Sequence, residues 1–163
     1  MFFANDQSEL LTTQQLLQMS GLAFMQKMLA GKVPAPPISR TLGYHLHAVE
    51  DGRAVFRGTP TFETTNPMGT VHGGWYGTLL DSAMACAVMT KVAQGSLYTT
   101  LEYKINIIRS IALDTEIDCI GRVDHVGRST AVANGEIRGR GDGRLYATGS
   151  TTCIILDMSK RQG

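Results

Sequence analysis

No apolar run in this sequence is long enough to cross a membrane. A spanning helix needs about 20 mostly apolar residues, and Asp81 interrupts the longest candidate, which is the segment 75–91. A secretory signal peptide has a basic start followed by an apolar centre. The N-terminal segment of this sequence instead has the polar and acidic residues Asn5 and Asp6. We therefore expect a cytoplasmic protein with no membrane partner.

A marked charge of either sign is also missing. The 15 Lys and Arg residues and the 14 Asp and Glu residues leave a formal net charge of +1. The basic residues are scattered along the chain, so the electrostatic footprint of a nucleic-acid-binding protein is absent. We expect no nucleic-acid partner.

Cysteine is scarce, with only Cys86, Cys119 and Cys153, and their spacing fits no metal site. Each cysteine lies in an apolar or strand-like segment, which predicts small buried core residues. A catalytic Cys–His pair is the alternative, but Cys86 lies inside an apolar helix with no basic neighbour to lower its pKa. We expect neither a metal nor a separate cofactor.

The most informative stretch is a helix-length apolar segment, residues 77–89, in which Asp81 is the only charged residue. A helix that is apolar on nearly every side is a buried helix, so Asp81 is predicted to lie in a largely dry setting. An ionised carboxylate in such a setting costs several kcal/mol unless partners satisfy it. Asp81 therefore has either a functional role or a structural one, in which its carboxylate fixes a neighbouring loop through hydrogen bonds.

Two glycines stand at the entry of this helix. Gly73 and Gly74 leave backbone N–H groups uncovered by side chains, and the first N–H groups of a helix have no partner within it. A helix entry of this kind can bind an oxyanion. The glycines therefore favour the functional interpretation of Asp81.

These residues, in this order, resemble the hotdog-fold acyl-CoA thioesterases of the phenylacetate-pathway, or PaaI-like, type. The matching positions are Asn66, Gly69, His72-Gly73-Gly74 and Asp81. The likeness continues through residues 99–103, which resemble the family's strand after the helix, and it extends from about Pro36 to Cys153. The resemblance implies hydrolysis of aromatic or fatty acyl-CoA, with coenzyme A as part of the substrate.

In a thioesterase, Asp81 would act as a general base toward water or as a nucleophile, and the Gly73 N–H is the natural oxyanion donor. By resemblance, Asn66 would orient substrate or water, and Thr100 would place a hydroxyl beside the carboxylate. Structural alternatives exist for both, because Asn before Pro often begins a turn and Thr is an ordinary strand residue. We expect His72 to fix the helix entry rather than to act as the base.

Four further residues are candidates for substrate binding. Gly74 and Trp75 lie at the helix entry, where the indole would suit an apolar acyl pocket. Arg109 and Arg128, at a strand end and a hairpin turn, could contact the phosphates of coenzyme A or could be solvated loop charges.

The chain is predicted to form one α+β domain with an accessory segment. Residues 12–30 have apolar side chains at helical spacing and predict one amphipathic helix, which an extended Pro-rich connector joins to the core. We divide the chain into an accessory region of residues 1–35, a hotdog domain of residues 36–157 and a flexible tail of residues 158–163. Strands are predicted at residues 42–46, 53–59 and 98–108, from residue 115, and at 129–138 and 145–156. A long helix followed by antiparallel strands joined by hairpins implies a sheet wrapped around that helix.

The strand after the helix shows strict alternation. It is predicted to place Thr100, Glu102, Lys104 and Asn106 on one face. Leu101, Tyr103, Ile105 and Ile107 would lie on the other. The pattern predicts a half-buried strand.

Helix geometry makes a separate prediction about assembly. Gly73 and Asp81 are eight residues apart, so a rise of about 1.5 Å per residue separates their Cα atoms by roughly 12 Å. One thioester cannot easily contact both residues in the same chain. We therefore expect at least a homodimer, with Asp81 supplied across a two-fold axis, and the family resemblance implies a dimer of dimers.

Two other classes compete with a thioesterase. A hotdog-fold hydratase or dehydratase would carry an aspartate shortly before a catalytic histidine, and here the nearest preceding acid, Glu63, is nine residues from His72. A non-catalytic acyl-CoA-binding protein would keep the pocket but lack the carboxylate.

Overall fold

The computed structural model describes residues 2–160. Its helices are α1 (Thr13–Leu17), α2 (Gly21–Leu29), α3 (Pro37–Thr41) and α4 (Gly73–Met89). Its strands are β1 (Tyr44–Glu50), β2 (Arg53–Gly58), β3 (Ser96–Ile107), β4 (Ile117–Val126), β5 (Thr130–Gly139) and β6 (Leu145–Asp157). Within residues 2–160 we find no helix with the length and apolar character of a membrane span.

All six strands form one antiparallel sheet in the order β1-β2-β4-β5-β6-β3, and α4 contacts every strand. The sheet therefore wraps around a central helix, which confirms the predicted α+β hotdog architecture. The predicted run of hairpins holds for β4, β5 and β6. It does not hold for β3, which pairs with β6 from Ser96↔Asp157 to Ile107↔Ala147 and so lies at the far edge of the sheet.

A row of glycines lets the sheet approach α4 closely. Gly121, Gly135 and Gly149 face one another across β4, β5 and β6. A Cβ atom on Gly121 would lie 2.1 Å from the carbonyl oxygen of Ala83, so the two backbones are in direct contact. Side chains at this row would push the helix off the sheet.

The accessory region differs from the single helix predicted from the spacing of its apolar residues. It forms two helices, and Ser20 begins the second by accepting a hydrogen bond from the Ala23 N–H at 3.3 Å. Gly21 donates its N–H to Val92 at 2.9 Å, and a Cβ atom there would lie 1.8 Å from the Met89 carbonyl oxygen. The contact with the end of α4 therefore accounts for the break between the two helices.

The Pro-rich connector is extended only at its start. Pro37 begins α3, where its fixed φ suits the first helical position. Leu42 ends that helix and Gly43 turns the chain with a φ of +68°, so β1 begins at Tyr44 rather than at residue 42. At the other end of the chain, residues 158–160 form a short 3-10 turn. Residues 161–163 of the predicted flexible tail lie outside the described residues.

The predicted alternation along β3 is wrong beyond Thr100. The pairing with β6 shifts between Thr100 and Glu102, so Leu101 is an extra, bulged residue. Thr100, Tyr103 and Ile105 consequently all face α4. The strand is also less buried than predicted, because it lies at the edge of the sheet and most of its residues are exposed.

Candidate active site

The loop before α4 is closed by Asn66. Its side-chain oxygen accepts hydrogen bonds from the N–H groups of Met68 at 2.9 Å and Thr70 at 3.2 Å. Its side-chain nitrogen donates to the Thr70 hydroxyl at 2.8 Å. The Asn66 side chain therefore stabilises a turn, which is the structural role predicted for Asn before Pro. Its predicted action on substrate or water stays a prediction.

His72 caps the first turn of α4. Its ring Nδ1 accepts the N–H of Gly74 at 2.8 Å, and its backbone N–H donates to Thr64 at 2.8 Å. This geometry agrees with the expectation that His72 fixes the helix entry. It also takes the Gly74 N–H away from a substrate.

Gly73 is left with an open donor. Within residues 2–160 its N–H has no hydrogen-bond acceptor. A Cβ atom at this position would meet only Ile107 Cδ1, at 3.6 Å. Of the two glycines only Gly73 keeps an open N–H at the start of the helix, and its role as an oxyanion donor stays a prediction.

Asp81 lies in the middle of α4, and its side chain meets β3. The Thr100 hydroxyl donates to Asp81 Oδ1 at 3.0 Å. Asp81 is half-buried rather than dry, because the strands cover α4 on only part of its circumference. The prediction of a largely dry carboxylate is therefore wrong for a single chain.

One side of α4 is only partly covered, and this uncovered stripe carries small and polar residues. Gly74 is exposed there, and Thr78, Asp81 and Ser82 are half-buried. Helical spacing places these residues on one side of the helix. The opposite side is apolar and buried against the sheet. Asp81 thus lies on the side of α4 that a ligand or a second chain can approach.

Trp75 lies in the core, away from this stripe. Its side chain is only 2% exposed, and its indole N–H donates to the Leu42 carbonyl at 2.9 Å. The ring also packs edge-on against Tyr76. This placement gives no support to a substrate-binding role for Trp75.

The two candidate arginines lie at opposite ends of the sheet. Arg109 donates to the Leu145 carbonyl, at the start of β6, at 2.8 Å. Arg128 lies in the β4–β5 turn, whose next residue, Ser129, accepts a hydrogen bond from Ile155 near the end of β6. One chain therefore does not bring both arginines to Asp81.

Two tyrosines near Asp81 were missed by sequence reasoning. The hydroxyl groups of Tyr44 and Ser82 form a hydrogen bond of 2.9 Å. Tyr98 interacts with Cys86, which lies farther along α4. Neither tyrosine stands in a motif, so only the tertiary fold identifies them as neighbours of the carboxylate.

The cysteines have the character of core residues. Burial, reinforced by the nearby Asp81 carboxylate, raises the pKa of the Cys86 thiol to about 12. A thiol of this kind is not an activated nucleophile. Among the described residues, we find no group of three His, Cys, Asp or Glu side chains placed to hold a metal ion.

A six-stranded antiparallel sheet wrapped around one central helix defines a protein of the hotdog class. The profile of the thioesterase superfamily matches residues 68–146. This match confirms the resemblance to thioesterases that the sequence predicted.

Solved structures support this assignment. The conserved protein PA5202 from Pseudomonas aeruginosa is 34% identical, with a TM-score of 0.67 over 73% of this chain and 93% of that protein. The phenylacetic acid degradation-related protein from Ralstonia eutropha JMP134, named "putative thioesterase", is 29% identical, with a TM-score of 0.73 over 80% of this chain and 98% of that protein. The suspected likeness to proteins of the phenylacetate pathway is confirmed.

A curated relative comes from Caenorhabditis elegans and is named "Putative esterase F42H10.6". It is 30% identical over 91 residues, which are 56% of this chain. The match spans about half, 53%, of the length of that protein. This likeness agrees with the prediction of a thioester hydrolase, and the activity stays a proposal for this chain.

Proposed function

We propose that this protein hydrolyses the thioester bond of acyl-CoA and releases a free acid and coenzyme A. The observation that carries the proposal is the placement of Asp81. It is the only acidic residue of α4, it lies on the uncovered stripe, and it accepts a hydrogen bond of 3.0 Å from Thr100. The match of residues 68–146 to the thioesterase superfamily profile supports the same chemistry.

Asp81 has two ways to begin the reaction. As a general base it takes a proton from a water molecule that attacks the thioester carbonyl. As a nucleophile it attacks the carbonyl itself, and water then hydrolyses the resulting anhydride. In both routes the carbonyl oxygen becomes negative and the thiolate of coenzyme A leaves, so a donor at that oxygen lowers the barrier. The open N–H of Gly73 is the donor that we assign to this oxygen.

The proposed site needs two chains. Gly73 and Asp81 are about 12 Å apart along one helix, and the stripe that carries Asp81 is uncovered. The edge strand β3 also exposes the large apolar side chains of Leu101, Tyr103 and Ile107, and Ile108, just after the strand, is exposed as well. A long apolar edge strand of this kind is usually covered by another chain. We therefore include in the proposal a homodimer, or a dimer of dimers, whose subunits meet at β3 and α4.

Coenzyme A enters this reaction as part of the substrate, and the proposal includes no separate cofactor. It includes no membrane or nucleic-acid partner either. The cytoplasmic location stays a prediction from the sequence.

The test is thiol release from a panel of acyl-CoA thioesters, followed with a thiol reagent. We expect Asp81→Asn to lower kcat by roughly a hundredfold or more, since general acid–base groups contribute about that much. Asn is close to Asp in size and keeps an oxygen for the Thr100 hydroxyl. The control is Asp51→Asn, whose carboxylate lies on an exposed turn and pairs with Lys91. Unchanged turnover by a folded Asp81→Asn protein would remove Asp81 from the mechanism.

A hydratase is less well supported. His72 has committed Nδ1 to the helix cap, and Glu63 accepts a hydrogen bond from Thr61 instead of pairing with His72. We expect His72→Ala to reduce activity less than Asp81→Ala. If His72→Ala is the more damaging change in a folded protein, the base should be reassigned to His72. Binding of acyl-CoA without thiol release would indicate a non-catalytic binding protein.

A further inference from the structure

An apolar cavity lies between the accessory region and the far half of α4. Its volume is about 360 Å³, within the range of about 300 to 1,000 Å³ that small-molecule sites occupy. Leu11, Leu16 and Phe24 line it from the accessory region, and Cys86 and Met89 line it from α4. The cavity is therefore large enough for a small ligand.

The lining of this cavity excludes a charged occupant. No Lys, Arg, His, Asp or Glu side chain contributes to its wall. The hydroxyl of Ser82 is bonded to Tyr44, and Tyr98 interacts with Cys86, so the few polar groups are satisfied within the protein. A charge placed in such a wall would lose its hydration without a partner. The wall suits a hydrocarbon.

The cavity begins beside the proposed catalytic carboxylate. Ser82, in its wall, is the residue after Asp81. Tyr98, also in the wall, is two residues before Thr100, and alternate strand residues share a face. Because Thr100 is hydrogen-bonded to Asp81, a thioester held at Asp81 has its acyl group next to the cavity.

The accessory region that covers the cavity is fixed to the core by backbone hydrogen bonds. Gly95 donates to Leu17 at 3.0 Å, and Gly21 donates to Val92 at 2.9 Å. The accessory region lies outside residues 68–146, which match the superfamily profile. The cover is thus built by a part of this chain that the family match does not include.

We propose that this cavity binds the acyl chain of the substrate and that the accessory region sets the acyl length the protein accepts. The inference rests on the proposed function and deepens it. The substrate class is an apolar acyl group of medium length, with its thioester at Asp81 and its tail against Leu16 and Phe24. A short acyl group would leave the cavity empty and forgo the apolar contacts.

The test compares hydrolysis of acetyl-, hexanoyl-, decanoyl- and palmitoyl-CoA. We expect kcat/KM to rise from acetyl to decanoyl. Leu16→Trp fills the cavity, so the ratio of kcat/KM for decanoyl-CoA to that for acetyl-CoA should fall by roughly tenfold or more. Phe24→Ala enlarges the cavity and should shift the preferred length toward palmitoyl. The control is Gln14→Trp, which adds the same ring to the same helix at an exposed position outside the cavity.

Binding keeps this test separate from the proposed function. Decyl-CoA, a thioether that cannot be hydrolysed, should bind tighter than methyl-CoA in calorimetry, and Leu16→Trp should remove that difference. If no thioester is hydrolysed but this difference is found, the proposed function fails while the cavity assignment stands. The assignment would be overturned if folded Leu16→Trp and Phe24→Ala proteins keep the wild-type dependence of kcat/KM on acyl length and the wild-type difference in affinity between decyl-CoA and methyl-CoA. If Leu16→Trp does not fold, Phe24→Ala decides alone.

Discussion

At the scale of single residues, the hydrogen bond from Thr100 to Asp81 can be tested with two substitutions that distinguish a structural role of the hydroxyl from a chemical one. Thr100→Val keeps the branched shape but removes the donor to Asp81. A hydrogen bond to a charged group contributes about 1.5 to 3 kcal/mol, so we expect kcat to fall by roughly tenfold or more. Thr100→Ser keeps a hydroxyl and should retain most of the activity. Equal kcat in the Val and Ser variants would show that the hydroxyl does not act on Asp81.

The thiols give a prediction about pH. Burial raises the pKa of Cys86 to about 12 and also raises the pKa of Cys153. Only the thiolate reacts, so iodoacetamide should label Cys86 much more slowly at neutral pH than it labels an ordinary thiol, and the rate should rise steadily with pH. Mass spectrometry of the folded protein measures this profile, with a free cysteine peptide of pKa about 8.5 as the reference. Rapid labelling of Cys86 near neutral pH would contradict the raised pKa.

The sequence was sufficient to select Asp81 and the helix entry as candidates, because one charge in an apolar helix and two adjacent glycines are visible locally. The contact between Thr100 and Asp81 could not be derived from alternation, since the bulge at Leu101 changes which side chains share a face. Tyr44 and Tyr98 come from distant parts of the chain. Their meeting near Asp81 depends on the tertiary fold alone.

At the scale of secondary-structure elements, the glycine row makes a prediction about stability. A Cβ atom on Gly121 would lie 2.1 Å from the Ala83 carbonyl oxygen, so Gly121→Ala must move the helix or the strand. Overpacking of this kind costs about 1 to 3 kcal/mol and sometimes more, and thermal or urea unfolding measures the loss. The control is Gly141→Ala, in a turn where a Cβ atom meets nothing within 4 Å. Equal stability of the two variants would mean that the sheet does not depend on this contact.

The elements differ in how well local sequence predicts them. The central helix, the hairpin strands β4 to β6 and the hotdog class were all predicted, because their apolar periods and turn residues are local signals. The break between α1 and α2 was not predicted, since it depends on Gly21 meeting the end of α4. The edge position of β3 was also not predicted, because β3 pairs with β6, which lies about 40 residues or more later in the chain. Strand order depends on contacts between residues far apart in the chain.

At the scale of the whole molecule, activity should require at least two chains. Asp81→Ala and Gly73→Val proteins should each be inactive, and mixing them under conditions of subunit exchange should restore activity. In a mixed dimer one site receives both intact residues and the other receives both defects. With equal and random pairing, recovery should reach at most about a quarter of wild-type sites. Exchange shown by mass spectrometry without any recovery would place both residues in one chain or remove Gly73 from the mechanism.

The bulge at Leu101 has a consequence for the alignment of related chains. Side chains along a strand alternate, so one extra residue moves every later side chain to the opposite face. A relative without this bulge needs a one-residue gap between Thr100 and Glu102 before its inward residues line up with Tyr103 and Ile105. An ungapped alignment would pair inward with outward positions through the rest of β3. Substitution patterns read from such an alignment would then describe solvent-facing residues as residues that face the central helix.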